Sequence, residues 1–294
     1  MDKIRQALDK ARFERAKPPL VAPDALASRR HSLSLSAVAE VSLGADASIE
    51  EPRAEAPDET PGLRRSVPFR ADAQVLDRSR ILSPNARGPA AIAFRHLRTQ
   101  VLKRMRDRDW HTVGVTSARS ADGKTTVAAN LAITIAADPR HTALLVDLDL
   151  RRPSLARLFG ISPAVGVDDV IAGTASVDAA LTHPESVDRL RLLPARESVP
   201  SSSSVVAGSA CSALVAEVRS RYMNRIVLLD MPPVLEADDA VTLASLCDCL
   251  LFVVAEGQTS REDVSRALTL LADTPVVGTV LNRSIEAIQS EAYG

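Results

Sequence analysis

Six short apolar runs punctuate the chain, at 112–116, 143–147, 190–193, 226–230, 249–254 and 276–281. They are continuous rather than alternating with polar residues, which is the pattern of strands covered on both faces. Between them lie longer segments with apolar positions at helical spacing. These predict helices at 90–106, 124–136, 209–221, 237–246 and 260–272. Val127–Ala136 is Ala-rich and holds neither Gly nor Pro, a composition that favours helix. Strand–helix alternation of this kind predicts an α/β fold with a mostly parallel, doubly wound sheet. Ligands of such sheets bind beyond the carboxyl ends of the strands.

The first part of the chain breaks this pattern. Residues 1–13 place Ile4, Ala7, Leu8 and Ala11 at helical spacing and predict a short N-terminal helix, a candidate docking element or a marginal helix that frays. Residues 14–80 are rich in Pro, Ala, Ser, Glu and Arg, with few large apolar side chains. Such a segment buries too little surface to offset its ordering entropy, and it predicts a disordered linker. The expected organisation is therefore a helix at 1–13, a linker at 14–80, one α/β domain at 81–283 and a flexible tail at 284–294. Glu197–Ser204 is expected to be a flexible polar loop. In helix 90–106, Phe94, Leu97, Val101 and Met105 form an apolar stripe, while Arg95, Arg98, Lys103, Arg104 and Arg106 make the rest basic. That face reads either as contact with an acidic partner or anionic membrane surface, or as the solvated side of a packed helix.

Composition narrows the classes further. The 36 Lys and Arg nearly balance the 37 Asp and Glu, so nothing global points to nucleic acid. Cys211, Cys247 and Cys249 show no metal-site spacing and read as structural. The absence of a signal peptide or a membrane-length apolar stretch leads to the expectation of a cytoplasmic protein with reduced thiols.

The chemistry concentrates at the ends of three of the expected strands. After Thr112–Thr116 comes Ser117-Ala118-Arg119-Ser120-Ala121-Asp122-Gly123-Lys124-Thr125-Thr126, leading into the helix at 124–136. A loop in this position aims backbone N–H groups and a helix N-terminus at an anion. Ser120, Ala121, Asp122, Gly123, Lys124, Thr125 and Thr126 are the candidate phosphate-binding residues. Lys124 would supply charge for the terminal phosphates and Thr125 a hydroxyl for Mg²⁺. Only Gly123-Lys124-Thr125 matches the Walker A pattern, which calls for Gly where Ala118 stands. One helix later, Asp147 and Asp149 follow the run Ala143–Val146. Two apart on an extended strand, they point the same way. One can hold Mg²⁺ and the other can take a proton from an attacking hydroxyl. Singly, each also reads as a cap for the next segment or a partner for Arg151 and Arg152. Asp230 ends the run at 226–230 ahead of Met231-Pro232-Pro233, a Walker B pattern whose Asp serves the metal shell.

Together these segments resemble the bacterial tyrosine kinases of capsule and exopolysaccharide synthesis, within the deviant-Walker P-loop ATPases. The resemblance covers about Ser83 to Arg283. It rests on the phosphate loop, on Val146-Asp147-Leu148-Asp149-Leu150-Arg151-Arg152-Pro153, and on Leu229-Asp230-Met231-Pro232-Pro233. Ala93-Phe94-Arg95-His96-Leu97-Arg98-Thr99 and Gly278-Thr279-Val280-Leu281-Asn282-Arg283 add to it. It implies a P-loop NTPase fold and an ATP- and Mg²⁺-dependent protein-tyrosine autokinase that regulates polysaccharide polymerisation or export. Lys124 and Thr125 would hold phosphates and Mg²⁺, Thr125, Asp149 and Asp230 the metal, and Asp147 would act as base, with the two Asp roles open to exchange. Asn282 would contact the nucleotide base or serve as a strand-end turn residue. The resemblance also implies recruitment to the inner membrane by a separate chain-length regulator, and a homo-oligomer.

The chain departs from that family at three points. Ser120-Ala121 replaces the usual Pro-Gly, and Ile92 stands where a Glu of the family's self-assembly set belongs. The family's terminal tyrosine cluster is reduced to Tyr293, the phosphorylation candidate, with Tyr222 the other tyrosine of the chain. These departures keep a second reading in view, an ATP-binding switch of the same pathway with little or no kinase activity.

Overall fold

The computed structural model describes residues 66–220 and 225–284, all within one compact unit, Pro57–Gly294. The expected helix at 1–13, the linker up to residue 65, Tyr222 and the tail carrying Tyr293 lie outside the described residues. In chain order the elements are β1 (Val67–Phe69), α1 (Ala73–Arg78), α2 (Pro89–Arg106), β2 (Thr112–Ser117), α3 (Lys124–Ala136), β3 (Thr142–Asp147), α4 (Leu155–Phe159), α5 (Val167–Ile171) and α6 (Val177–Ala180). There follow β4 (Thr182–Pro184), β5 (Leu190–Leu193), α7 (Ser202–Val206), α8 (Ser209–Ser220), β6 (Arg225–Asp230), α9 (Asp239–Ala244), β7 (Cys249–Ala255), α10 (Arg261–Leu270) and β8 (Val276–Asn282).

The strands form one eight-stranded sheet in the order β1-β4-β5-β3-β6-β2-β7-β8. Every pairing is parallel except β4 with β5. The apolar runs behave as two-sided strands because consecutive residues serve opposite faces. Leu144, Val146, Val227 and Leu229 join one core with α8 and α9. Ala143, Leu145, Ile226 and Leu228 join the other with α2 and α3. Gly114 is where β2 is approached most closely: a Cβ there would lie 2.3 Å from Met231 Sδ and 2.8 Å from Cys247 Sγ. Helix α3 is buried along nearly its whole length, from Lys124 to Ala136. It thus presses the end of the phosphate loop against the centre of the sheet.

The linker boundary expected at residue 80 is corrected, because residues 66–80 belong to the fold. β1 pairs in parallel with β4, Val67 opposite Thr182, and the Phe69 ring meets Phe159 edge-on with centroids 6.1 Å apart. Asp72 caps α1 by accepting the N–H groups of Gln74 and Val75, a standard satisfaction of orphan helix donors. The flexible loop expected at Glu197–Ser204 is also corrected in part. Ser202–Val206 is helical, and fully buried Ser202 donates from its hydroxyl to Asp239 Oδ2 at 2.5 Å.

The basic face of α2 stays mostly exposed, though three of its side chains also bond within the fold. Arg95, Arg98 and Arg104 donate to the carbonyls of Ala86, Thr134 and Val277. The stripe expected on the same helix faces the core: Val101 and Met105 are buried, and Phe94 and Leu97 pack beside them. Ile92 is 40% exposed.

Candidate functional site

The site forms where β3, β6 and β2 lie side by side and end together. Asp147 and Asp230 are opposite each other in the β3–β6 register. The Ala118–Gly123 loop closes over them with two left-handed residues, Ala121 at φ 66° and Gly123 at φ 92°. Gly suits that conformation, and Ala121 holds it at a cost. At Gly123 space also requires it, because a Cβ would stand 2.1 Å from Asn282 Nδ2.

The loop is fastened from outside. Arg119 N–H donates to Asp122 Oδ2, and Thr259 Oγ1 donates to Asp122 Oδ1. Asn282 Nδ2 donates to the Asp122 carbonyl at 2.9 Å, and the Arg283 guanidinium to the Ala121 carbonyl at 2.6 Å. The Arg119 guanidinium forms a bidentate pair with Asp263, at 2.7 and 2.9 Å. Asn282 therefore sits at the end of β8 as a clamp on the loop, with its amide turned to main chain. Thr126, partly buried, lies in the first turn of α3.

At the centre, Lys124 Nζ lies 2.8 Å from Asp149 Oδ2 and 3.3 Å from Asp230 Oδ1. Thr125 Oγ1 donates to Asp230 Oδ2 at 2.7 Å and accepts from Ser154 Oγ at 3.0 Å. Asp147 is set apart from this contact set. Its Oδ2 accepts the N–H groups of Ser154 and Leu155, both at 3.0 Å, and its Oδ1 is buried with no hydrogen-bond partner. The capping role that the sequence allowed for these carboxylates is thus realised at Asp147. Asp149 likewise accepts the Arg152 N–H.

All three carboxylates are almost wholly buried, at 0% exposure for Asp147 and Asp230 and 4% for Asp149. Burial lowers the Lys124 ammonium, but Asp230 and Asp149 outweigh it and hold the lysine charged. Burial raises Asp230 more than Lys124 and Thr125 lower it. Burial and then the nearby Asp230 push Asp147 up to about 7, against the amides of Leu155 and Ser154. One ammonium facing three buried carboxylates leaves the cluster short of positive charge. A divalent cation with a few protein oxygens would complete it, the arrangement Mg²⁺ prefers. Among the described residues no group of three or more His, Cys, Asp or Glu side chains is placed to hold a metal ion by itself. Thr125, Asp149 and Asp230 are the oxygen donors here that could contribute to an open site.

Several participants were not foreseen in the sequence. Glu236 accepts the Ser120 N–H at 2.8 Å and lies 3.4 Å from the Arg152 guanidinium. Arg151 donates to Ser202, Ser203 and Asp238. The one signal available was the charge complementarity of Arg151-Arg152 with the acids at 236–239.

Comparison with known proteins follows the same lines. The family profile that matches, over residues 110–292, is ParA, described as NUBPL iron-transfer P-loop NTPase. Tyrosine-protein kinase YwqD of Bacillus subtilis is 29% identical over 203 residues, 68% of this chain and 84% of that protein. Succinoglycan biosynthesis transport protein ExoP of Rhizobium meliloti is 28% identical over 70% of this chain, but the match spans only 26% of ExoP. The crystal structure of the VpsO kinase domain is 30% identical, with a TM-score of 0.58, and the match covers 66% of this chain and 94% of that domain. With its phosphate loop, paired strand-end carboxylates and Walker B Asp in one cluster, the chain belongs to the ParA-type P-loop NTPases, on the branch of the bacterial tyrosine kinases.

Proposed function

We propose that the chain is an ATP-dependent protein-tyrosine kinase that controls exopolysaccharide or capsule polymerisation or export. The observation that carries this is the cluster of Lys124, Thr125, Asp149 and Asp230 beneath the phosphate loop. Ser120–Thr126 would receive the phosphates of ATP, with Lys124 neutralising charge that develops on the transferring group. Thr125, Asp149 and Asp230 would hold Mg²⁺, which when bound neutralises phosphate oxygens. Asp147 would accept the phenolic proton as the tyrosine oxygen bonds to the γ-phosphorus and the bond to the departing ADP breaks. Its value near 7 suits proton exchange at neutral pH. Asn282 would fix the loop beside the nucleotide. No helix among the described residues is long and apolar enough to cross a membrane. The proposed place of action is the cytoplasmic side of the inner membrane, reached through a separate membrane partner.

A second reading, an ATP-binding switch of the same pathway, is favoured by the presence of only two tyrosines in the chain. One experiment separates them. Purified protein is incubated with MgATP, alone and with peptides of candidate membrane partners, and phosphosites are mapped by mass spectrometry. The kinase reading expects phosphate on Tyr293 or on a partner tyrosine, lost in Asp147→Asn. Lys124→Met should weaken MgATP binding by roughly tenfold or more, since it removes a charge-assisted contact. MgATP binding with no phosphotyrosine under any condition leaves the switch.

A further inference from the structure

The outermost donors of the phosphate loop are engaged by a carboxylate of the chain itself. Ser120 offers Glu236 Oε1 both its N–H, at 2.8 Å, and its hydroxyl, at 3.1 Å. The other oxygen, Glu236 Oε2, lies 3.4 Å from the Arg152 guanidinium. Glu236 is carried on the segment that joins β6 to α9, and that segment is laid along the loop. Val234 and Leu235 donate their N–H groups to the carbonyls of Ser117 and Ala118. Beyond Glu236, Asp238 and Asp239 are held by Arg151, Ser203 and Ser202. The arm is therefore anchored on both sides of the glutamate, which is aimed at the loop rather than trailing in solvent.

A carboxylate oxygen and a phosphate oxygen ask the same thing of an N–H group: a charge-assisted hydrogen bond in which both act only as acceptors. A second anion brought to this loop also meets the Glu236 charge at hydrogen-bonding distance from Ser120, where the two repel each other. We propose that Glu236 is an internal competitor for the terminal phosphate of the nucleotide, an autoinhibitory contact that closes the loop at Ser120 and gives way when nucleotide enters. Its release also frees the Arg152 guanidinium, so loading the loop and releasing Arg152 become one event, while Arg151 stays held by Ser202, Ser203 and Asp238. This rests on the reading of the loop as a nucleotide site and adds its regulation.

The size of the effect follows from competition between states. A protein that binds only from an open state has its apparent affinity reduced by the fraction that is open. With the closed contact favoured by about four to nine to one, its removal tightens binding by roughly five- to tenfold. Glu236 is partly exposed, with 29% of its side chain accessible, so substitution there is compatible with folding.

The test is calorimetric titration of MgATP into the full chain, as wild type, Glu236→Gln, Glu236→Asp and Lys124→Met, with the thermal midpoint of each recorded. Glu236→Gln keeps the shape and loses the charge; Glu236→Asp keeps the charge and shortens the arm by one methylene. Both should bind MgATP more tightly than wild type by about five- to tenfold, with little change in midpoint. Either of the two decides if the other folds poorly. Equal or weaker binding in the Glu236 variants, while wild type binds and Lys124→Met binds more weakly, overturns the competitor and leaves Glu236 a structural tie. Absence of MgATP binding in wild type and all variants overturns the nucleotide-site reading itself.

Discussion

Asp147 is a carboxyl group placed where charge is hard to keep. It has no solvent exposure, it faces Asp230 across the β3–β6 register, and one of its oxygens has no hydrogen-bond partner. Its value of about 7 stands above the ordinary 3.8, so over the pH range between them the folded chain holds a proton that the unfolded chain has lost. The stability that Asp147 contributes is then complete at acid pH and declines as pH rises toward 7, above which no more is lost. Each pKa unit corresponds to about 1.4 kcal/mol, so the decline is large enough to measure. Asp147→Asn, neutral throughout, still offers a carbonyl oxygen to the Ser154 and Leu155 amides. Urea denaturation from pH 4 to pH 8 should show the variant gaining stability relative to wild type as pH rises. Parallel pH profiles would mean that Asp147 is ionised across the range. Asp149, in contact with Lys124, has a direct countercharge that Asp147 lacks, which is why two residues of one type two positions apart are suited to different work.

At the scale of elements, uninterrupted apolar runs and amphipathic segments were legible, down to the four residues of β5 and the six of α9, and the other short elements were not. Helix α3 occupies 124–136 as its Ala-rich sequence predicted, and the six apolar runs coincide with β2, β3, β5, β6, β7 and β8. In each run, apolar positions follow one another without interruption, which marks a strand covered on both faces. β1 and β4 have three residues each, and α1, α4, α5, α6 and α7 have four to six, too few to display a period. Residues 66–80 were masked further by the polar composition of the segment before them. What orders them is a partner strand at 182–184 and the ring of Phe159, neither of which is a local property. The site divides in the same way. Lys124, Thr125, Asp147, Asp149 and Asp230 were legible because each ends an apolar run or opens a helix. Glu236, Asp263 and Arg283 reach the phosphate loop only through tertiary structure, and a charge on a loop carries no periodic signal. Phe69→Ala tests the corrected boundary. Loss of its edge-on contact and partial burial should cost about 2 kcal/mol in chemical denaturation. No change would place β1 outside the cooperative unit.

For the whole molecule, the corrected boundary changes what truncation should do. Deleting residues 14–65 should leave the melting temperature within a few degrees and MgATP affinity unchanged, because that composition offers little apolar surface. Extending the deletion to residue 78 removes β1 and α1 and uncovers Phe159, so a clear drop in melting temperature is expected there. A similar drop from the shorter deletion would show that the N-terminal segment packs on the domain.

The strand order has a consequence for synthesis. β6 lies between β3 and β2, yet it is made after both, and the ties across the site join residues far apart in the chain. Lys124 and Asp230 are 106 positions apart, Asp122 and Asn282 160. At a translation rate of about 5–20 residues per second, the phosphate loop leaves the ribosome roughly 5–20 s before the carboxylate that completes it. Until then a gap stands at the middle of the sheet, and the loop has neither Asp230 beneath it nor Asn282 against it. A chain cut short within the last strand keeps the glycine, the lysine and Asp230 but lacks the Asn282 clamp, and one cut before β6 lacks both. On the proposed reading of the loop as a nucleotide site, a chain that has not yet made β8 would lack the full loop support, so competence to take up nucleotide would come only with the last strand.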